Sequence, residues 1–120
     1  MYYDNGKGYE GEYKNDKKEG KGIYFFKSGD RYEGEFKNNL FEGKGIYYYN
    51  NGNRYEGDIK NGKSNGEGIY YYSNGDRKMG DYINGIKIGI HVTLHRNGSI
   101  TSKDYNQKWF LINNFLFVFI

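Results

Sequence analysis

Cysteine and proline are absent from this 120-residue chain, tryptophan occurs once and methionine twice. Without cysteine there is no disulfide, no thiolate metal ligand and no cysteine nucleophile, and that usage fits a reducing compartment. Without proline, the 19 glycines exclude a collagen-like or proline-rich linker reading. The opening MYYDNGKGYEG holds no apolar stretch of the kind a secretory leader needs, so none is expected, and the sequon Asn97-Gly98-Ser99 reads as a turn. An excess of one charge is lacking too. Eighteen Lys and Arg against 15 Asp and Glu leave a net +3, which helps contact with an anionic surface but falls far below a dedicated nucleic-acid binder. What the chain does have is rings. Fifteen tyrosines and 8 phenylalanines make any core aromatic, although AT-biased codon usage would also enrich Tyr, Phe, Asn, Lys and Ile.

The rings recur in order. Tyr9–Arg31 reads YEGEYKNDKKEGKGIYFFKSGDR, Tyr32–Arg54 reads YEGEFKNNLFEGKGIYYYNNGNR, and Tyr55–Arg77 reads YEGDIKNGKSNGEGIYYYSNGDR, three near-copies at a 23-residue period. A fixed period marks a repeat architecture, in which no unit can bury its apolar face alone. In the second copy, Tyr32–Lys37 alternates ring, charge, glycine, charge, ring, charge, the period-two signature of a half-buried strand. Asn38-Asn39-Leu40-Phe41-Glu42 reads as a connection, Gly43–Tyr49 as a second strand, and Asn50–Asn53 as the closing turn. Each copy is thus one β-hairpin. The expected fold is all-β: a single-layer meander of stacked hairpins forming an elongated, twisted sheet of eight or nine strands, about 40 Å long at roughly 4.8 Å per strand.

Tyr-Glu-Gly-Glu/Asp, followed by Gly-x-Gly-Ile-Tyr and then an Asn-Gly or Ser-Gly turn, strongly resembles the MORN repeat, in register from about Tyr2 to Ile100. Proteins carrying such repeats include cytoskeletal and axonemal scaffolds, membrane-contact proteins and accessory regions of lipid kinases and methyltransferases. The resemblance therefore implies a scaffold or adaptor that joins a protein partner in a larger assembly, cytoplasmic and cytoskeleton- or cilium-associated. It also permits a homodimer, an anionic-phospholipid module, or an accessory regulatory piece of an enzyme.

Two faces follow from the alternation. One carries a structural ladder of rings interleaved with glycines: Tyr9, Tyr13, Tyr24 and Phe26, then Tyr32, Phe36, Tyr47 and Tyr49, then Tyr55, Ile59, Tyr70 and Tyr72. Glycines such as Gly34 and Gly45 share that face, so a ring can lie flat across the backbone there. The other face presents Ile23, Phe25, Ile46, Tyr48, Ile69 and Tyr71 as an apolar stripe, a candidate partner-binding surface. Beside it runs an acidic double file, Glu10, Glu12, Glu33, Glu35, Glu56 and Asp58, flanked by Lys14, Lys37, Lys60, Arg31, Arg54 and Arg77. This file is expected to be solvated and charge-paired across strands, and not a catalytic carboxylate pair.

The array is expected to span residues 1–100. A half repeat occupies 1–8, with Tyr2 aligned to Phe25; full repeats occupy 9–31, 32–54 and 55–77; and a degenerate capping repeat occupies 78–100. In that last unit Lys78 replaces the leading tyrosine, His91 a second-strand glycine, and Thr93 and His95 two rings. The histidines read as cap or surface residues, since no carboxylate or cysteine at ligand spacing supports a metal. Beyond Ile100 the period is expected to end in an apolar tail, 101–120. There Trp109, Phe110, Phe115 and Phe117 are further partner-binding candidates, in runs too short and interrupted for a spanning helix and readable as a hairpin on Asn113-Asn114.

No enzyme constellation emerges. The serines lack a nucleophile-elbow context, and the Gly-Lys-Gly steps precede no helix that would cradle phosphate. No catalytic, cofactor-binding or metal residue is expected, no cofactor is implied, and nucleic acid ranks last because the rings look structurally committed.

Overall fold

Glycine every few residues removes most of what a helix would gain, while alternating tyrosine and β-branched residues fit a pleated surface. The fold is that of a computed structural model, which describes residues 2–4, 7–106, 108–112 and 115–119, with side chains over 8–106. Every element it describes is a strand. These are β1 (Tyr2–Asp4), β2 (Lys7–Lys14), β3 (Lys17–Phe25), β4 (Arg31–Lys37), β5 (Leu40–Tyr48), β6 (Arg54–Lys60), β7 (Lys63–Tyr71), β8 (Arg77–Ile83), β9 (Ile86–Leu94), β10 (Ile100–Asp104), β11 (Lys108–Ile112) and β12 (Phe115–Phe119). Strands β1 to β10 lie side by side in chain order in one antiparallel meander. Among the described residues the last two strands pair with each other, Phe110 opposite Phe117, in keeping with the hairpin reading of the tail, while the Asn113-Asn114 turn of that reading lies outside the described residues. The principal extents are 59 × 35 × 23 Å.

The tight turns are shorter than the sequence reading had them. Between β4 and β5 only Asn38 and Asn39 turn, both left-handed at φ 49° and 69°, and Leu40, Phe41 and Glu42 already belong to β5. Two consecutive left-handed residues make a type I′ turn, whose twist matches the flanking strands; asparagine tolerates that region, and Asn61-Gly62 repeats the solution. The extra residues are absorbed by a bulge. Glu35 stands opposite Glu42, Gly43 and Lys44, between the Gly34–Gly45 and Phe36–Phe41 pairs. Gly43 bends at φ 89°, and the Glu35 carboxylate accepts the Lys44 N–H at 2.7 Å. Glu12 and Asp58 do the same for Lys21 and Glu67 at 2.6 and 3.1 Å. Half of the acidic double file is therefore occupied in bracing bulges and is not simply a solvated row.

The core is one ring per hairpin laid over bare backbone. Tyr32 is wholly buried, and a Cβ at Gly45 would sit 2.3–2.5 Å from its hydroxyl and ring carbons. Its hydroxyl donates to the Glu35 carbonyl at 2.9 Å; Tyr9 and Tyr55 repeat the bond to Glu12 and Asp58 at 2.8 and 3.1 Å. Phe36, Ile59 and Tyr82 complete the buried cluster, with Phe36 edge-on to both Tyr9 and Tyr32. Edge-on pairs add about 0.5–1.5 kcal/mol each beyond burial. Successive units are also tied along both long edges. Asp30 accepts from the Asn50 N–H and the Tyr47 hydroxyl, and Glu19 and Glu42 accept from the N–H groups of Asn38 and Asn61 in the next hairpin.

Three expectations at the ends are corrected. Tyr2 pairs with Tyr9 as Tyr24 pairs with Tyr32, so it aligns with Tyr24 and not Phe25. The sheet does not stop at Ile100, because β10 continues the ladder to Asp104 and Tyr105 follows Tyr82 by one period. His91 is no surface histidine: it is 1% exposed. Its ring covers Gly80, where a Cβ would meet it at 2.4 Å, and its Nε2–H donates to the Asp81 carbonyl at 2.8 Å. In the fourth unit ring and glycine have exchanged strands, and the ring over the backbone comes from β9.

Candidate functional site

The outer face is a ruled surface. Cross-strand pairing sets Glu10, Ile23, Glu33, Ile46, Glu56 and Ile69 in one continuous row, with Met79 and Val92 extending it. The adjacent row runs Phe25, Arg31, Tyr48, Arg54, Tyr71, Arg77 and Leu94. The six apolar candidates are all partly buried, and each is flanked across the ladder by a charged residue. The guanidiniums of Arg31 and Arg54 lie 3.9 Å above the Tyr48 and Tyr71 rings and reach Glu33 and Glu56 at 3.8 and 3.9 Å. Exposed ion pairs of this kind contribute little stability, but together with the stacked rings they hold the side chains in place. Between the Glu/Ile row and the Lys21, Glu35 and Lys44 side chains runs a shallow groove of about 830 Å³, open to solvent along the glycine backbone. Lys44, on its rim, pairs with its cross-strand neighbour Asp58, and that partner lowers the Asp58 carboxyl below its ordinary range.

At the C-terminal end this pattern changes. Met79 takes the place of Glu56, Ile90 that of Glu67, and Ile100 lies next to Leu94; the three are 38%, 63% and 67% exposed. Only the spacing, read through one more period, would have found them.

The ring face is a trough. The ladder residues Tyr24, Phe26, Tyr47, Tyr49, Tyr70 and Tyr72 form a nearly continuous run of tilted and edge-on rings, from Tyr24–Phe26 at 4.8 Å to Tyr70–Tyr72 at 4.8 Å. Tyr13 joins Tyr9 edge-on at 5.0 Å but remains 54% exposed. Sequence reading missed Phe41, which stacks on Tyr32 at 4.0 Å and 15° after being assigned to a loop. Burial pushes the phenols of Tyr32, Tyr47 and Tyr55 well above their ordinary value, and those of Tyr9, Tyr49 and Tyr82 also rise.

One phenol goes the other way. The hydroxyl of Tyr105 lies 3.2 Å from Lys78 Nζ, and Lys78, Lys87 and Lys103 stand 5.7, 5.2 and 5.0 Å from its ring. The Lys78 hydrogen bond, then the charges of the three lysines, hold Tyr105 below its ordinary value. Burial alone would lower the Lys78 ammonium, yet the Tyr105 and Tyr72 phenols carry it upward. His95, expected on the same face, hydrogen-bonds Thr101 at 2.7 Å and sits 3.4 Å from Asp76. Among the described residues no group of three or more His, Asp or Glu is placed to hold a metal. The side chains of Trp109, Phe110, Phe115 and Phe117 lie outside those described.

A one-layer meander of similar hairpins, ruled on one face and troughed on the other, defines a class of solenoid-like binding proteins whose surfaces grow unit by unit. The MORN repeat model matches residues 9–31, 32–54 and 55–77, more than half of the chain, and the protein belongs to the MORN-repeat family. No curated protein matches the chain. MORN repeats generally act in interactions with proteins or with membrane lipids.

Proposed function

We propose that this chain is a non-catalytic adaptor, making protein–protein contacts within a larger cytoplasmic assembly of the cytoskeletal or ciliary kind. The observation that supports it is the outer face, where Glu33, Ile46 and Glu56 share one row and Arg31, Tyr48 and Arg54 the next. Side chains already ordered by sheet pairing and stacking lose little entropy on binding, and Arg and Tyr are the residues on which interfaces most often depend. A homodimer through this face fits the same reading, with the partner-binding candidates Ile23, Phe25, Ile46, Tyr48, Ile69 and Tyr71 at its centre.

The test is affinity purification of the tagged chain from its native cells in mild detergent, with size fractionation and mass spectrometry, beside an Ile46→Glu/Tyr48→Glu variant. Stoichiometric co-migration with one assembly, lost in the variant, is expected. Recovery as a small free species, or with lipid as its sole companion, sinks the adaptor reading.

One observation favours a second reading, contact with an anionic membrane surface. The hairpin tips place Lys14, Lys17, Lys37, Lys60 and Lys63 along one edge, and that edge ends in Ile83 and Ile86, 52% and 68% exposed. A basic row ending in apolar side chains suits phospholipid headgroups. Salt-sensitive binding to phosphatidylserine vesicles, absent from phosphatidylcholine vesicles, would support it.

A further inference from the structure

The third unit lacks a ring that the second unit has. Phe41 fills the ring face of the second hairpin against Tyr32; one period on, Ser64 stands in its place, paired with Ile59 as Phe41 is with Phe36. A groove of about 500 Å³ opens there. Its floor is Tyr55, Ile59 and Tyr82, its wall Tyr47, Tyr49, Tyr70 and Tyr72, and its low lip Gly62, Ser64 and Gly85. Lys78 and Lys87 stand at its end, and among the described residues no carboxylate lines it. Beyond them Lys103 joins the same cluster around Tyr105. Behind this corner the buried His91 ring packs edge-on against Tyr82 and Tyr105, at 5.2 and 5.0 Å.

We propose that this groove takes an aromatic side chain flanked by carboxylates, supplied by an extended segment of a partner protein. The internal repeat shows what fits. A planar ring entering over Ser64 finds the kind of aromatic surroundings that Phe41 has in the second unit, and the adjacent carboxylates meet Lys78 and Lys87 in a partly desolvated corner where charge pairing counts for more. Selectivity for acidic over basic segments follows from three like charges that have no counter-charge among the described residues. This deepens the adaptor reading and rests on it, since it names the partner chemistry of a second surface on the same sheet.

The full chain would be titrated with a short fluorescein-labelled peptide of alternating phenylalanine and glutamate. Two counterparts serve as controls, one with lysine for glutamate and one with alanine for phenylalanine. Binding of the acidic aromatic peptide about tenfold or more tighter than either counterpart is expected, weakening with salt. Ser64→Phe, which restores the second unit's packing, is expected to weaken binding about tenfold while leaving the melting temperature unchanged or higher. Lys78→Glu/Lys87→Glu is expected to abolish the preference for glutamate over lysine, and it keeps the test decisive if Ser64→Phe folds poorly. Equal binding of acidic and basic peptides, or Ser64→Phe binding like the parent, overturns the proposal. So does loss on Ser64→Phe of phosphatidylserine-vesicle binding without any peptide binding. If the assembly captured from cells is retained by Ser64→Phe but lost by the outer-face variant, the groove fails and the adaptor stands. If no assembly is captured at all, it is the adaptor reading that fails.

Discussion

Units one to three and unit four solve the same packing problem with opposite strands. In the first three, a tyrosine from the first strand lies across two glycines and ties its hydroxyl to a carbonyl three residues on. In the fourth, Lys78 and Gly80 occupy the first strand, and His91 from the second supplies the ring and the bond to the Asp81 carbonyl. The architecture therefore requires one flat, hydrogen-bonding ring per hairpin over bare backbone, and either strand can provide it. The exchange also has a consequence at the surface: it frees position 78 for a lysine, and so turns the end of an aromatic face into a basic one.

The largest expected effect separates the two chemistries by pH. Burial raises the phenols of Tyr9, Tyr32, Tyr47, Tyr49, Tyr55 and Tyr82 above the ordinary 10.0. A folded phenol that holds its proton more tightly than the unfolded chain contributes stability present in full below pH 10.0 and lost as pH rises through the raised values. Tyr105, lowered by Lys78, has the opposite sign: its share is present above the ordinary value and lost as pH falls through the lowered one. Phenolate absorbance should show Tyr105 ionising first, a step removed by Tyr105→Phe. These six should ionise together with loss of the β-sheet circular dichroism signal; ionisation of all tyrosines before any unfolding would refute the buried core of Tyr9, Tyr32, Tyr55 and Tyr82.

The exchange itself can be reversed. His91→Gly should cost about 3 kcal/mol by emptying the space over Gly80. Lys78→Tyr alone should overpack against His91 and cost about 1–3 kcal/mol. The double variant rebuilds a regular unit, so denaturant titration should find it within about 1 kcal/mol of the parent. Additive losses would mean that ring and glycine are not coupled.

Smaller effects probe what all units share. Glu35→Ala removes the acceptor of the Lys44 N–H and should cost about 1–2 kcal/mol, whereas Glu33→Ala, on the same strand without a backbone partner, should cost less than about 0.5 kcal/mol. Thermal unfolding of the two variants checks that difference. Arg54→Met, which loses the stack on Tyr71, should cost only about 0.5 kcal/mol, and the same change at Arg77 less still.

Much of the fold could be read from local rules. Alternation along Tyr32–Lys37 named the strand, and the ring before Glu33-Gly34 named the buried face, because side-chain direction in a strand repeats every two residues. Phe41 was misread because a five-residue connection between strands is ordinary, whereas two asparagines in the left-handed region followed by a bulge at Gly43 become evident once the strands are paired. The outer-face candidates were assigned to the right side, but their separation by Glu and Arg is a property of the cross-strand neighbours. His91 was misjudged for a related reason: a histidine where glycine is expected looks like degeneration until Lys78, thirteen positions earlier, is seen to have vacated the ring site.

By itself the sequence determined the repeat, the hairpin, the two faces and the aromatic character of the core. Period, turn residues and glycine sterics act within a few bonds of backbone, so they are written in adjacent letters. The tertiary structure alone decided which ring covers which glycine, which carboxylates brace bulges, that Ser64 leaves a groove where Phe41 fills one, and that Lys78, Lys87 and Lys103 converge on Tyr105. Those relations join residues on different strands, and a bulge that inserts extra residues shifts every partner beyond it, so they exist only when the sheet has formed.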